Sequence, residues 1–261
     1  MIDFHNHTIP SLDDGPKNIE TAVEMCKCAF DQGITDIINT VHFQHPKMEN
    51  KNTSYKHVVS EVEKFNKILL EQNININIHA ASEVYYLPNL TEILDNPITT
   101  FGNKKYMLIE FETMFLPKNY KDEFFRLMLK GVTPVIAHPE RYRFVQSNLS
   151  LVKDWVDLGY VIQLDCGSII GDFGLKVQET SHFIIKNSLC HLIGSDAHNN
   201  KKRNFCLKET YEYLENFFSL DFVNGLKKNS INIFNGMEIN NINYKFNNKK
   251  KLLKFFRNLI K

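Results

Sequence analysis

Two histidines two residues apart, His5 and His7, stand near the start of the chain in MIDFHNHTIPSLDDG, and Asp13 and Asp14 follow within seven residues. On a strand, positions i and i+2 leave on the same face, so both imidazoles can reach one metal ion. Asp14 precedes Gly15 and Pro16, a turn composition that can also aim a carboxylate inward. Asp13 is the alternative, read as solvated or as capping the next helix. Further ligand types sit at the ends of apolar runs: His42, Glu83, Glu110, His138 and Asp196, with His198 repeating the i, i+2 geometry in SDAH. A carboxylate placed like Glu83, after an apolar run and before two tyrosines, is costly to bury unpaired, and coordination of a cation removes that cost. Glu110 follows the same logic. Glu112 shares its face by alternation and is the less favoured neighbour, but spacing alone does not choose between them.

His5, His7, Asp14, His42, Glu83, Glu110, His138, Asp196 and His198 are too many ligands for one ion and suit two or three ions sharing carboxylates. Imidazole and carboxylate without thiolate suit Mn²⁺, Fe²⁺ or Zn²⁺. Paired ions roughly 3.5–4 Å apart are the usual apparatus for hydrolysing phosphate esters. Such a site also needs fixed positive charge for the phosphate. Arg141 in HPERY and Arg203 downstream of SDAH supply planar guanidinium groups that bind phosphate oxygens in pairs. Arg143, Lys201 and Lys202 read as solvated. His45, His57, His79, His182 and His191 lack the strand-end context and read as surface or structural residues.

The elements that would position these groups are legible as an alternation. Seven short apolar runs, within 1–5, 34–42, 74–83, 106–112, 132–138, 160–167 and 190–196, read as strands. Helical stripes lie between several of them: Ala22, Met25, Cys26, Ala29 and Phe30 before Gly33; Val58, Val62, Phe65 and Leu69 with Thr53 or Ser54 as cap; Phe124, Leu127 and Met128 before Gly131; Val152, Trp155 and Val156 before Gly159. Glycine at the close of a helix is good helix-to-strand chemistry. Alternating βα units imply a parallel sheet. An open, doubly wound sheet fits the pattern. A closed barrel fits better, because in a parallel barrel all the strand ends carrying ligands converge on one face.

Composition narrows the alternatives. The chain has 261 residues, 43% of them hydrophobic, enough for one α/β barrel with a sizeable core. A formal net charge of +1 argues against a nucleic-acid partner. No apolar run approaches the roughly 18 residues of a membrane span, and the opening lacks the pattern of a secretory signal. Five scattered cysteines form no zinc-ribbon or disulfide framework, which points to reduced thiols in the cytoplasm. Residues 1–261 are expected to form one domain ending in KKKLLKFFRNLIK (249–261), a basic amphipathic helix with Leu252, Phe255, Phe256 and Leu259 on one stripe. Packing on the barrel with a solvated basic face is the preferred reading of that helix; contact with an anionic membrane or a kinase is the alternative.

The combined motifs, HNH with a downstream DDG, a strand-end His42, Glu83, Glu110, HPERY and SDAH, resemble the PHP (polymerase and histidinol phosphatase) superfamily. They resemble most its CpsB/CapC branch of manganese-dependent protein tyrosine phosphatases, whose typical opening is a variant of IDxHxHxxxxxDDG. The resemblance runs from Met1 to about Met237. It implies a distorted (β/α)₇ TIM-like barrel holding three metals. By position, His5, His7, Glu83 and Asp196 would hold the first. Glu83 would bridge to a second held by Glu110 and His138, and Asp14, His42 and His198 would hold the third. Arg141 and Arg203 would hold the substrate phosphate. The resemblance further implies dephosphorylation of a bacterial tyrosine autokinase that controls capsular or extracellular polysaccharide synthesis. A small-molecule phosphatase, such as one for histidinol phosphate, is the alternative with the same metals. Three positions depart from the branch pattern: Phe43 follows His42 where a second histidine is frequent, Asn204 and Phe205 replace an Arg-Pro-Pro context at Arg203, and Asp165 stands where asparagine is common.

Overall fold

The computed structural model describes residues 1–48, 54–102, 104–239 and 241–242. The amphipathic segment 249–261 and the alternative cap Thr53 lie outside them. Seven strands, β1 (Ile2–Asn6), β2 (Asp36–Phe43), β3 (Asn77–Tyr85), β4 (Tyr106–Glu110), β5 (Thr133–Ile136), β6 (Val161–Asp165) and β7 (Leu192–Gly194), pair in parallel in sequence order. The ring closes just beyond β7, where Asn6 and Ala197 form a parallel bridge. There Asp196 N–H donates to the His5 carbonyl at 2.6 Å and His7 N–H donates to the Ala197 carbonyl at 2.8 Å. The expected barrel forms because the strands are buried on both faces, by side chains inside and helices outside.

Helices α1 (Ile19–Asp31), α2 (Tyr55–Glu71), α3 (Tyr120–Leu129), α4 (Arg143–Ser147), α5 (Ser150–Asp157), α6 (Cys166–Ile170), α7 (Leu175–Lys186), α8 (Leu207–Phe217) and α9 (Leu220–Phe234) follow or separate the strands. The four stripes expected from the sequence fall on α1, α2, α3 and α5. Phe30 and Met128 sit at the edges of their stripes and are 43% and 38% exposed, so neither belongs to the core. Ser54 accepts the His57 N–H at the start of α2. Asn18, not Asp13, caps α1, its side chain accepting the Thr21 N–H at 2.9 Å.

The barrel interior explains where the ligands lie. Phe4, Ile38, Ala81, Leu108, Val135, Val161 and Leu192, one from each strand, belong to one buried apolar cluster that Ile233 of α9 joins. Side chains on a strand repeat every second residue. One or two pleats further on, the same faces carry His42, Glu83, Glu110 and Asp165. The apolar layer is therefore the floor of the polar mouth.

Strand β1 departs from simple alternation. Its pairing with β2 shifts register between Asp3 and Asn6, an irregularity of the kind that re-aims side chains beside active sites. Phe4 joins the interior cluster, and the adjacent His5 nevertheless faces the mouth, 3.2 Å from Glu83. Asp3, fully buried, braces the irregularity: it accepts N–H groups from His5 at 3.2 Å and Ser195 at 3.1 Å, and the Asn6 amide at 3.0 Å. Burial outweighs those hydrogen bonds and raises its carboxyl to about 6.

Candidate active site

All nine ligand candidates meet at the C-terminal mouth. Glu83 is the hub. Its Oε2 lies 3.2 Å from His5 Nε2, 3.4 Å from His7 Nε2 and 3.1 Å from His42 Nδ1, while Oε1 lies 2.8 Å from His138 Nε2. Among the described residues, four overlapping groups have ligand atoms within 4.8 Å of one another: His7, Asp14, His42 and His198; His5, His7 and Asp196; His5, Glu83 and His138; His42, Glu83 and Glu110. His138 (φ 32°) and Asp196 (φ 49°) occupy the left-handed region. Such backbone costs energy and persists where surrounding structure demands it. Here it turns both side chains inward after β5 and β7 have ended.

Hydrogen bonds on the far side of the rings decide which nitrogens face the centre. His5 Nδ1 lies 3.0 Å from Gln163 Oε1. That oxygen also accepts the His138 N–H, while the Gln163 amide nitrogen donates to the Leu164 carbonyl, so His5 Nδ1 carries a proton and donates it to Gln163. His7 Nδ1 lies 2.7 Å from Asp13 Oδ2, and His198 Nδ1 lies 2.9 Å from the Asp196 carbonyl. Carboxylate and carbonyl partners of this kind orient metal-binding imidazoles. His5 Nε2, His7 Nε2, His42 Nδ1 and Glu110 Oε2 are buried with no hydrogen-bond partner among the described residues. Orphaned buried polar atoms are expensive, and divalent cations satisfy this donor set.

Among the protein's own groups, burial opposes charge on His5, yet Glu83 and Asp196 raise it to about 10. Burial would likewise push Glu83 up, but His5 and His42 hold it well below the usual carboxylate range. Glu110 goes the other way: burial and then the Glu83 charge lift it to about 7.

The two arginines converge on the same rim. Arg141 Nη1 donates to Asp196 Oδ2 at 2.6 Å and to Asp165 Oδ2 at 2.9 Å; Arg203 Nη2 donates to Asp196 Oδ2 at 2.5 Å. Both line a cavity of about 330 Å³ with Asp14, His42, Glu83 and Glu110.

Several functional positions were assigned other roles, or none, in the sequence reading. Asp13 is neither solvated nor a cap: its side chain is 1% exposed, clamps His7 and accepts the His42 N–H at 3.2 Å. His45 is not peripheral, since it lines the cavity with its ring 4.8 Å from that of His42 and its Nε2 3.7 Å from Glu110. Gln163 and Asp165 reach in from β6, where only their position two and four residues beyond the interior Val161 could have flagged them. Glu110, rather than Glu112, faces the centre because β4 ends at Glu110. Glu112 instead turns back to accept the N–H groups of Met114 at 2.6 Å and Phe115 at 3.0 Å.

The seam between β1 and β7 yields a test. A Cβ on Gly194 would lie 2.6 Å from His5 Cβ and 2.9 Å from His5 N. The Gly194→Ala variant must push the two strands apart and move His5. We expect a loss of about 1–3 kcal/mol of stability together with reduced bound metal, read by thermal denaturation and elemental analysis. Unchanged metal content would show that His5 is not held through this contact.

A seven-stranded parallel barrel whose mouth gathers histidines and carboxylates in overlapping cation-sized groups defines a metal-binding α/β barrel protein. A family model described as capsular polysaccharide synthesis, CpsB/CapC, matches residues 1–239, and the chain belongs to that family. It is similar to tyrosine-protein phosphatase YwqE of Bacillus subtilis, 33% identical over 231 residues, 88% of this chain and 90% of the relative. It is also similar to tyrosine-protein phosphatase CpsB of Streptococcus agalactiae, 27% identical over 236 residues, 87% and 94% of the two chains. Among solved structures, one from work on YwqE of Bacillus subtilis and CpsB of Streptococcus pneumoniae, described as unique metal-dependent tyrosine phosphatases, matches with a TM-score of 0.87 at 32% identity. The match covers 92% of this chain and 96% of that one.

Proposed function

We propose that this chain is a metal-dependent protein-tyrosine phosphatase acting on a bacterial tyrosine autokinase, and thereby on capsular or extracellular polysaccharide synthesis. The observation that carries the reading is the convergence of eight further ligand side chains on buried Glu83, with His5 Nε2, His7 Nε2 and His42 Nδ1 unpartnered among the described residues, beneath two arginines at an open mouth. Its relatives named as tyrosine phosphatases support it. His5, His7, Glu83 and Asp196 would hold one ion, Glu83 with Glu110 and His138 a second, and Asp14, His42 and His198 a third. Mn²⁺ is the preferred ion, with Fe²⁺ or Zn²⁺ compatible with the same donors. Bound there, the ions would make a nucleophile of water at neutral pH and offset charge on the phosphoryl group.

The residues supply the rest. Arg141 and Arg203, aligned by Asp196 and Asp165, present N–H groups to the phosphate oxygens. Gln163 and Asp13 hold His5 and His7 so that their inner nitrogens stay fixed during turnover. The tyrosyl leaving group needs little protonation, because its pKa is about 10. On the rim, the turn held by Glu112 leaves Met114 and Phe115 55% and 74% exposed, an apolar edge that suits a polypeptide better than a small polar ester. No helix of the described residues is long and apolar enough to cross a membrane. A cytoplasmic location fits the reduced thiols and an intracellular kinase tail.

With Mn²⁺ present, a phosphotyrosyl peptide is expected to be hydrolysed, and chelation should reduce the rate to background. Activity that survives complete metal removal would sink the mechanism. Histidinol phosphate turned over with a higher kcat/KM than the peptide would favour the small-molecule alternative.

A further inference from the structure

We infer that Phe173 is a positioning residue, an aromatic platform that sets the spacing of Arg141 and Arg203. The inference rests on reading those arginines as the phosphate clamp. The Arg141 guanidinium carbon lies 4.9 Å from the Phe173 ring centroid and that of Arg203 lies 5.9 Å from it. Both cations therefore face the same ring within the range in which the π-face attracts a cation. The two arginines come from different segments, one after β5 and one after β7, and like charges brought this close repel. Asp196 Oδ2 binds both and Asp165 binds Arg141, but these contacts fix only the nitrogen tips. The ring fixes the planes of the forks, on which two-point recognition of phosphate oxygens depends.

The ring is delivered by a built turn. Gly171-Asp172-Phe173-Gly174 links α6 to α7, with φ of 106° at Gly171 and 90° at Gly174, values that favour glycine. Asp172 N–H donates to the Gly167 carbonyl at 2.8 Å and Gly174 N–H to the Gly171 carbonyl at 3.1 Å. A Cβ on Gly167 would lie 2.9 Å from the ring edge, so the absence of a side chain there lets Phe173 seat against α6. An apolar ring with no direct tie to the ligand cluster is thus held in place by local backbone geometry.

The test separates a platform from a filler. Phe173→Tyr keeps the π-face, Phe173→Leu keeps apolar bulk without it, and Phe173→Ala removes both. With Mn²⁺-loaded protein and a phosphotyrosyl peptide, Phe173→Leu and Phe173→Ala should raise KM about tenfold. Their kcat should stay within about threefold of wild type and their metal content unchanged. The inhibition constant of orthophosphate should rise in parallel, and Phe173→Tyr should behave as wild type. Phe173→Leu with wild-type KM and phosphate inhibition, or Phe173→Tyr as impaired as Phe173→Leu, would overturn the inference. If the loaded wild-type protein hydrolyses no phosphotyrosine, the proposed function fails. Calorimetric binding of orthophosphate to wild type and to Phe173→Leu then still decides the platform: equal affinities, or no binding to wild type, would refute it.

Discussion

Replacing Glu83 by glutamine is expected to lower phosphotyrosyl hydrolysis by on the order of 10³-fold, the upper end of what loss of one active-site electrostatic group costs. Glutamine keeps the size of the side chain but loses the charge that faces His5, His7, His42 and His138 within 3.4 Å. Glu83 also belongs to two of the four cation-sized groups, so its loss removes a donor from both. Metal content should fall by more than one equivalent, measured by elemental analysis of protein loaded with Mn²⁺. Glu112→Gln, on the loop beyond β4, serves as the control for a generic carboxylate loss near the mouth, and it should retain its metal. An equal metal loss in both variants, or full metal content in Glu83→Gln, would refute the hub role.

Stability should depend on metal and pH with opposite signs. In protein stripped of metal, His5 is raised to about 10, against about 6.5 in an unfolded chain. A raised pKa means that its ionic contribution is fully present below about pH 6.5 and is lost as pH climbs toward 10. Glu83, Asp14 and Asp196 are depressed by neighbouring histidines, against the effect of burial. Their contribution is therefore present above the unfolded carboxylate range, and is lost only on acidification through their folded values. The stripped protein should thus lose stability between pH 6.5 and 9. Loading runs the other way, because metal displaces protons from imidazole and gains affinity as pH rises. With free Mn²⁺ at about 1,000 times its Kd, the gain is about 4 kcal/mol, or roughly 8–16 °C in Tm for a chain of this size. The gap between loaded and stripped melting temperatures should widen from pH 6 to pH 9. A gap that narrows over that range would contradict the assignment of the histidines as ligands.

Much of this architecture is readable in advance for a specific reason. Strands of a parallel barrel are buried on both faces, so they appear as near-continuous apolar runs, and a polar residue at the close of such a run is conspicuous. That is why Glu83, His138 and Asp196 stand out without any structure. The residues whose roles the sequence did not reveal share the opposite property. Asp13 is partnered by His7 and His42, Gln163 by His5, and Asp165 by Arg141; in each case the tertiary partner gives the residue its role. Asp13 is an ordinary turn aspartate until the chain folds His7 onto it. Phe173 looks like any loop phenylalanine until two arginines from other segments arrive above it.

By itself, then, the sequence determined the repeating βα pattern, the parallel sheet it requires and the chemical types that close each strand. These follow from short continuous apolar runs and helical patterning, which are local. Tertiary structure decided what local spacing leaves degenerate. It selected Glu110 over Glu112 by ending β4 one pleat early, and it turned His5 into the mouth beside an interior Phe4 through a register shift. It also assigned the inward nitrogen of His5, His7 and His198 through hydrogen bonds to Gln163, Asp13 and the Asp196 carbonyl. Those outcomes depend on closure of the ring, which sets groups from distant segments against one another at distances that the order of residues along the chain does not contain.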